Sequence, residues 1–237
     1  KLNTRKMAGR LVKIEEELKT KPMPGSLGIG HTRWATHGRP SDRNAHPHQD
    51  CSKKFSVVHN GIIENYLSLK EWLQEKGHIF NSETDTEVLP HLIEEFYQGD
   101  LVAAVRQTLT KIEGAYAIVV VCDDFPDRLV VARKSSPLII GLGKGENYVA
   151  SDIPAILPYT REIYILEDGE MATITGERVE VTTFTGQPVA KKPYHVQWDI
   201  EAAEKGGYED FMLKEIHEQP RAVRDTLAGK IDRNTKT

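Results

Sequence analysis

The chain has 237 residues, 39% of them hydrophobic and 28% charged, with a formal net charge of -4. This is enough for one large domain or two small ones, and the interspersed acidic and basic residues exclude a general attraction to nucleic acid or to an anionic membrane surface. No apolar run reaches membrane-spanning length and the opening KLNTRK has no signal-peptide character, while Cys51 and Cys122 form neither a CxxC nor a paired framework, which fits a reducing, cytoplasmic setting without structural zinc on thiolates.

Met7, Leu11, Ile14 and Leu18 recur at helical spacing among charged residues and predict an amphipathic surface helix stopped by Pro22 and Pro24. FSVVHNG reads as a short buried strand ending at Asn60 and Gly61, and ENYLSLKEWLQEKG as a helix with Gly77 at its C' position. A second helix is expected from Thr86 to Tyr97, and a third from an N-cap at Asp100 to Gly114. From Ala115 the β-branched runs AYAIVVVC, RLVVAR, PLIIGLG, NYVAS, EIYILEDGEMATIT and RVEVTTF alternate with turn residues, as in the hairpins of an antiparallel sheet. AYAIVVVC is apolar on both faces and should lie between two layers. The order of helices followed by strands predicts an α+β fold. After Phe184 the sequence turns polar and irregular, then forms a last helix over Tyr208 to Leu227 and a charged tail, KIDRNTKT, with the character of a linker.

Four histidines, His31, His37, His46 and His48, invite a metal reading. Pro47 splits the HxH pair and no carboxylate sits at a ligand offset, so no metal is expected there and loop or core histidines are the plainer alternative. Gly141, Gly143 and Gly145 lead into a strand, not a helix N-terminus, which favours a β-turn over a phosphate cradle. Arg33 offers a planar fork for a carboxylate and Trp34 a cover for a bound ligand, although an arginine is more often a surface residue and a tryptophan core. HNG supplies an amide beside a glycine N–H, two neutral donors suited to an oxyanion. Asp85 supplies a carboxylate before a helix, with an N-cap role for Ser82, Thr84 or Asp85 as the competing reading.

GIGHTRWATHG, NAHPH, HNGIIENY and SETDTEV, in this order, resemble the glutaminase domain of the class II, N-terminal-nucleophile glutamine amidotransferases. MLKEIHEQP resembles the junction in the branch whose glutaminase is joined to a phosphosugar isomerase domain and aminates fructose 6-phosphate. The resemblance spans Gly28 to Pro220 and implies a four-layer αββα sandwich with two antiparallel sheets, covering residues 1–200, and a C-terminal helix and linker start over 201–237. It implies that Arg33 grips the α-carboxylate of glutamine, that Thr36 and His37 lie on a mobile loop closed with the help of Trp34, and that Asp85 binds the α-ammonium. Asn60 and the Gly61 N–H would form the oxyanion hole and His46 would support the pocket. It further implies no metal, no organic cofactor and a homodimer at full length. The family nucleophile is a cysteine at the mature N-terminus, whereas this chain begins with Lys1, so the first strands and the nucleophile are expected to be missing and no glutamine turnover is expected from this chain alone. Another class II amidotransferase, a nucleophile-free glutamine-binding module, or a structural fragment with an open sheet edge are the competing readings.

Overall fold

A computed structural model describes residues 1–34, 36–197, 208 and 210–227, apart from the side chain of Asp225. The chain separates into Lys1–His195 and Val196–Thr237. The boundary expected at residue 200 and the tail KIDRNTKT lie outside the described residues.

In the first unit, α1 (Leu11–Thr20) buries no side chain completely, as expected of a surface helix, but it begins later than its periodicity suggests. Met7 stays outside it because Gly9 turns the chain at φ +117°. Then come β1 (His48–Gln49) and β2 (Phe55–Ile63), followed by α2 (Tyr66–Glu75). Gly77 follows α2 at φ +97°, the left-handed conformation that ends a helix at low steric cost. The next helix starts as a 3-10 turn, Asp85–Glu87, and becomes α3 over Val88–Phe96. Pro90 falls in the first turn of α3, where a missing N–H costs nothing. Helix α4 (Leu101–Leu109) is capped by Asp100, whose carboxylate accepts from the Ala103 N–H. It stops before the expected end, since Gly114 opens the following strand at φ +111°.

The remaining strands are β3 (Gly114–Cys122), β4 (Phe125–Lys134), β5 (Ile139–Leu142), β6 (Asn147–Ala150), β7 (Glu162–Ile165), β8 (Glu170–Ile174), β9 (Val179–Thr183) and β10 (Tyr194–His195). Two antiparallel sheets result, ordered β1-β2-β3-β4-β8-β9 and β10-β7-β5-β6. The stretch after Phe184, expected to be irregular, therefore still contributes a two-residue edge strand against β7. The glycine-rich GLGKGE lies at the turn between β5 and β6, as a hairpin connection.

The layers follow from strand alternation. Tyr116, Ile118 and Val120 of β3 pack with Leu73, Leu89, Leu92 and Val105 of the helices. Ala117 and Val121 pack instead with Leu138, Ile140, Ala172 and Ile174, between the sheets. The doubly apolar β3 is thus sandwiched, each fully buried aliphatic side chain contributing about 1.5–3 kcal/mol. On the outer face of the smaller sheet, Ile156 and Thr160 crowd against Gly141, just after a one-turn 3-10 helix at Ile153–Ala155.

In the second unit, α5 (Phe211–Leu227) contains Pro220, and Asp210 accepts from the Leu213 N–H at 2.7 Å as its N-cap.

Gly61 is the tightest point of the larger sheet. Its φ is +119° and an added Cβ would sit 2.0 Å from the Ala115 carbonyl oxygen. Gly61→Ala is expected to cost about 3 kcal/mol or more from strain and collision. Gly99→Ala, with positive φ but open space, should cost only about 1 kcal/mol. Urea denaturation of both variants checks this, and equal costs would show that the Ala115 contact does not constrain position 61.

Candidate functional site

Asn60 and Gly61 do not end a strand, as the sequence suggested. They lie inside β2, paired with Ala117 and Tyr116 of β3. The two faces of β2 then do different things. His59 turns toward the helices, where its Nδ1 lies 2.9 Å from Thr86 Oγ1. Val58 and Asn60 turn to the other face, where they line a cleft of about 280 Å³ with Gly30, His31, Ala117, Val119 and Ser151.

His31 lies across that cleft with Nε2 2.8 Å from Asn60 Oδ1. An amide oxygen only accepts, so the His31 Nε2–H donates and the Asn60 NH2 is left to donate elsewhere. The ring is stacked on His46, centroids 4.1 Å apart and 12° from parallel. His46 in turn uses Nδ1 to accept the His59 N–H at 3.3 Å. The sequence pointed to His46 as a pocket support and did not single out His31 as the residue that orients Asn60. The alternation of β2 would have been needed to see it, and HTRW gives no local sign.

Asp85 is buried, and it is not an N-cap: Thr84 occupies that position of the 3-10 turn without a side-chain cap. The Asp85 carboxylate instead accepts the Ile63 N–H at 2.8 Å through Oδ2, while Oδ1 lies 3.8 Å from His37 Nδ1. The 33–38 loop is closed by Arg33, whose Nη2 donates to the His37 and Gly38 carbonyls. Gly38 has φ +74° and packs against Asn44, whose amide exchanges hydrogen bonds with Glu83 beside Asp85. His37 also meets Tyr66 edge-on at 5.1 Å. Trp34 is 88% exposed and Thr36 is exposed, so neither covers a site in this conformation. Arg33, His37 and Asp85 are thus joined in one network and Asn60, His31 and His46 in another, and the two meet at Thr86, next to Asp85, whose Oγ1 lies 3.5 Å from His46 Nε2.

Both cysteines lie elsewhere. Cys51 is exposed next to His78 and His91, and Cys122 is buried in β3 opposite Phe55, where burial pushes its thiol pKa up.

Four histidines, His31, His46, His48 and His59, are disfavoured as cations. Burial drives the pKa of His31 and His46 down, with the Arg33 charge and, for His46, the neighbouring imidazoles acting in the same direction. Burial lowers His48 to about 3, further depressed by Lys6, and His59 to about 4 against the opposing attraction of Asp85. His48 is hydrogen-bonded to Thr84 Oγ1 at 3.1 Å, a satisfied core histidine. Glu87 moves the other way from its burial: the His91 ring 3.8 Å away and hydrogen bonds from the Ser82 and Asn81 N–H groups outweigh desolvation and hold it at about 2.

A profile of the glutamine amidotransferase domain matches residues 31–158, more than half of the chain and all of the site. The chain belongs to the glutamine amidotransferase domain family. This amidotransferase domain is 56% identical over 230 residues to the glutamine–fructose-6-phosphate aminotransferase [isomerizing] of Clostridium tetani, covering 97% of this chain and 38% of that protein. The protein of the same name from Aquifex aeolicus is 54% identical over 229 residues, again 97% of this chain and 39% of the relative. The domain thus spans little more than a third of the curated relatives it matches. Among solved structures, the glutamine phosphoribosylpyrophosphate amidotransferase of B. subtilis superposes with a TM-score of 0.54 at 31% identity over 65% of this chain and 34% of that one. The α+β architecture with two antiparallel sheets and the class II amidotransferase resemblance both stand.

The depressed histidines make the domain acid-sensitive. Between an unfolded histidine value of ~6.5 and the folded values near 4 and 3, the unfolded chain binds more protons, so stability is complete above ~6.5 and is lost as pH falls. Glu87 extends the loss from ~4.5 towards about 2. Each histidine contributes at most ~1.4 kcal/mol per pH unit within its window. Urea midpoints taken from ~pH 7.5 to ~pH 5 should fall, and His48→Gln should flatten the slope. A midpoint that rises on acidification would mean these rings are protonated in the fold.

Proposed function

We propose that this chain is the glutamine-hydrolysing part of a glutamine–fructose-6-phosphate aminotransferase, a glucosamine-6-phosphate synthase, and that it acts in the cytoplasm. The observation that carries this reading is the Asn60 amide, which is held by His31 so that its NH2 remains a donor for the cleft. With the Gly61 N–H it supplies two neutral donors for the oxygen of an amide under attack. Preorganised donors of this kind stabilise a tetrahedral oxyanion without reorganising. The cleft of about 280 Å³ is at the scale of a single amino acid.

Glutamine also carries two opposite charges, and the second network has a partner for each. Asp85 is a buried carboxylate beside the loop and takes the α-ammonium. Arg33 has five donors, of which the His37 and Gly38 carbonyls engage Nη2, and the remaining edge of the guanidinium takes the α-carboxylate. Thr36, His37 and Trp34 then close over the bound substrate, which shields the reacting amide from bulk water while a thioester forms and leaves a single water to hydrolyse it afterwards. The thiolate that attacks the side-chain amide carbon is neither Cys51 nor Cys122. Collapse of the oxyanion expels ammonia, and water releases glutamate. The ammonia passes to a phosphosugar isomerase domain of the same polypeptide, where it aminates fructose 6-phosphate. The relatives' names and the 52–57% identity of this chain to them favour this enzyme over another class II amidotransferase.

The test is glutaminase kinetics on the full-length protein. Asn60→Ala should lower kcat by ~10²–10³ with little change in KM, as for loss of one oxyanion donor. Arg33→Ala and Asp85→Asn should instead raise KM for glutamine by about ten- to a hundredfold, the loss of one charge-assisted contact. An Asn60→Ala enzyme with unchanged kcat would overturn the oxyanion assignment.

A further inference from the structure

Away from β2, four side chains from separate parts of the fold converge. Cys51 comes from the turn between β1 and β2, His78 from the loop after α2, and His91 and Glu94 from one face of α3. Cys51 Sγ lies 3.9 Å from His78 Nδ1 and 3.7 Å from His91 Nδ1. The two Nδ1 atoms are 3.2 Å apart, and Glu94 Oε2 is 3.2 Å from the first and 3.7 Å from the second. All four ligand atoms lie within 4.8 Å of one another. In a tetrahedral zinc site, bonds of about 2.3 Å to sulfur and about 2.0–2.2 Å to nitrogen or oxygen place the ligand atoms about 3.3–3.6 Å apart. Five of the six separations, 3.2–3.9 Å, fall close to those edges, and the sulfur–carboxylate edge is within 4.8 Å.

The outward nitrogens tell what the inward ones carry. His78 Nε2 faces Glu95 Oε2 at 3.4 Å, and His91 Nε2, buried, faces Glu87 Oε1 at 3.8 Å. With its proton on Nε2, facing a carboxylate as in metal-binding imidazoles, each ring turns Nδ1 inward as a ligand; the contact is a hydrogen bond for His78 and a longer approach for His91. Both Nδ1 lone pairs then point at each other, at a carboxylate oxygen and at a sulfur. Each of the four atoms can offer an electron pair to the same point, and one cation there satisfies all four at once. The remaining contacts suit that charge. The Cys51 and Ser52 N–H groups hold Glu94, and the Ile79 N–H donates to Cys51 Sγ at 3.3 Å, as it would to a thiolate.

We propose that Cys51, His78, His91 and Glu94 bind one divalent transition-metal ion of the zinc class. This departs from the expectation of no metal that the family resemblance implies; His31, His37, His46 and His48, whose spacing spoke against a metal, take no part here. A thiolate, two imidazoles and one carboxylate fit zinc in softness and number, and four protein ligands complete a tetrahedron, so the site is structural. Exposed Cys51 provides the entry path. The ion ties the β1–β2 turn and the loop after α2 to α3, which directly continues the 3-10 turn carrying Asp85. It holds that turn and takes no part in the reaction.

The experiment uses the full-length protein, reduced, stripped with a chelator and titrated with Co(II) as a coloured stand-in for zinc. One equivalent should saturate an intense tetrahedral visible spectrum with a near-ultraviolet thiolate band, and zinc should displace it. Cys51→Ser should abolish the thiolate band and weaken binding by ~10-fold or more, a loss at least as large as that of a second-layer partner. His78→Asn should weaken binding to a similar degree while retaining the band. Circular dichroism reports whether each variant is folded. Should Cys51→Ser not fold, Glu94→Gln decides by the same affinity loss. A weak octahedral cobalt spectrum in the parent protein, or a tetrahedral one unchanged in the folded variants, overturns the proposal.

Discussion

The pairing of β2 with β3 is the constraint on which the rest of the domain depends. It runs unbroken from Phe55 against Cys122 to Ile63 against Gly114. Because side chains alternate along a strand, this register decides at once which residues of β2 meet helices and which meet the second sheet. A slip of one residue would send His59 into the cleft and Asn60 among the helices. Gly61 permits the register, since the Ala115 carbonyl occupies the space where any side chain would begin. The position that brings a backbone N–H to the proposed oxyanion site is therefore also the one where the sheet tolerates no Cβ.

Two kinds of polar chemistry meet along that strand. On the cleft side half-buried His31 and buried His46 have no carboxylate partners and their pKa values are lowered, so they orient an amide through hydrogen bonds without adding charge. On the loop side Asp85 is buried yet anchored by the Ile63 N–H, a donor from the same strand. A buried carboxylate costs little when a backbone donor is already aimed at it, and much when it is not. The second sheet contributes mainly apolar wall to the cleft through Leu138 and Val149.

Elements with local chemical signals were legible in the sequence. Asp100 caps α4 through its own carboxylate, and Gly77 ends α2 by a backbone conformation available to glycine; both effects act within a few residues. The strand pattern after Ala115 was legible for the same reason, because β-branched runs and glycine turns alternate regularly. The continuation of β2 through Gly61 was not, since glycine reads as a strand breaker until the Ala115 carbonyl is in place. Four short motifs identified the family because Arg33, Asn60 and Asp85 sit in sequences that carry their own context. The Cys51, His78, His91 and Glu94 group had only one local trace, a histidine and a glutamate three apart on α3. His78 arrives through the packing of α2 on α3 and Cys51 through the packing of β1 and β2 on α3, which no short window of sequence contains.

The exposure of Trp34 has an energetic consequence for any ligand. An indole of about 150–250 Å² left in water is unrealised burial, at ~25 cal/mol per Å². With 88% of that residue exposed, the domain holds hydrophobic free energy in reserve. A small polar ligand brings little apolar surface of its own. If its arrival lets the indole fold down, the affinity measured for that ligand includes the dehydration of a side chain it need not touch, less the entropy of ordering the loop. The tightness of binding would then report the protein's own surface as much as the ligand's.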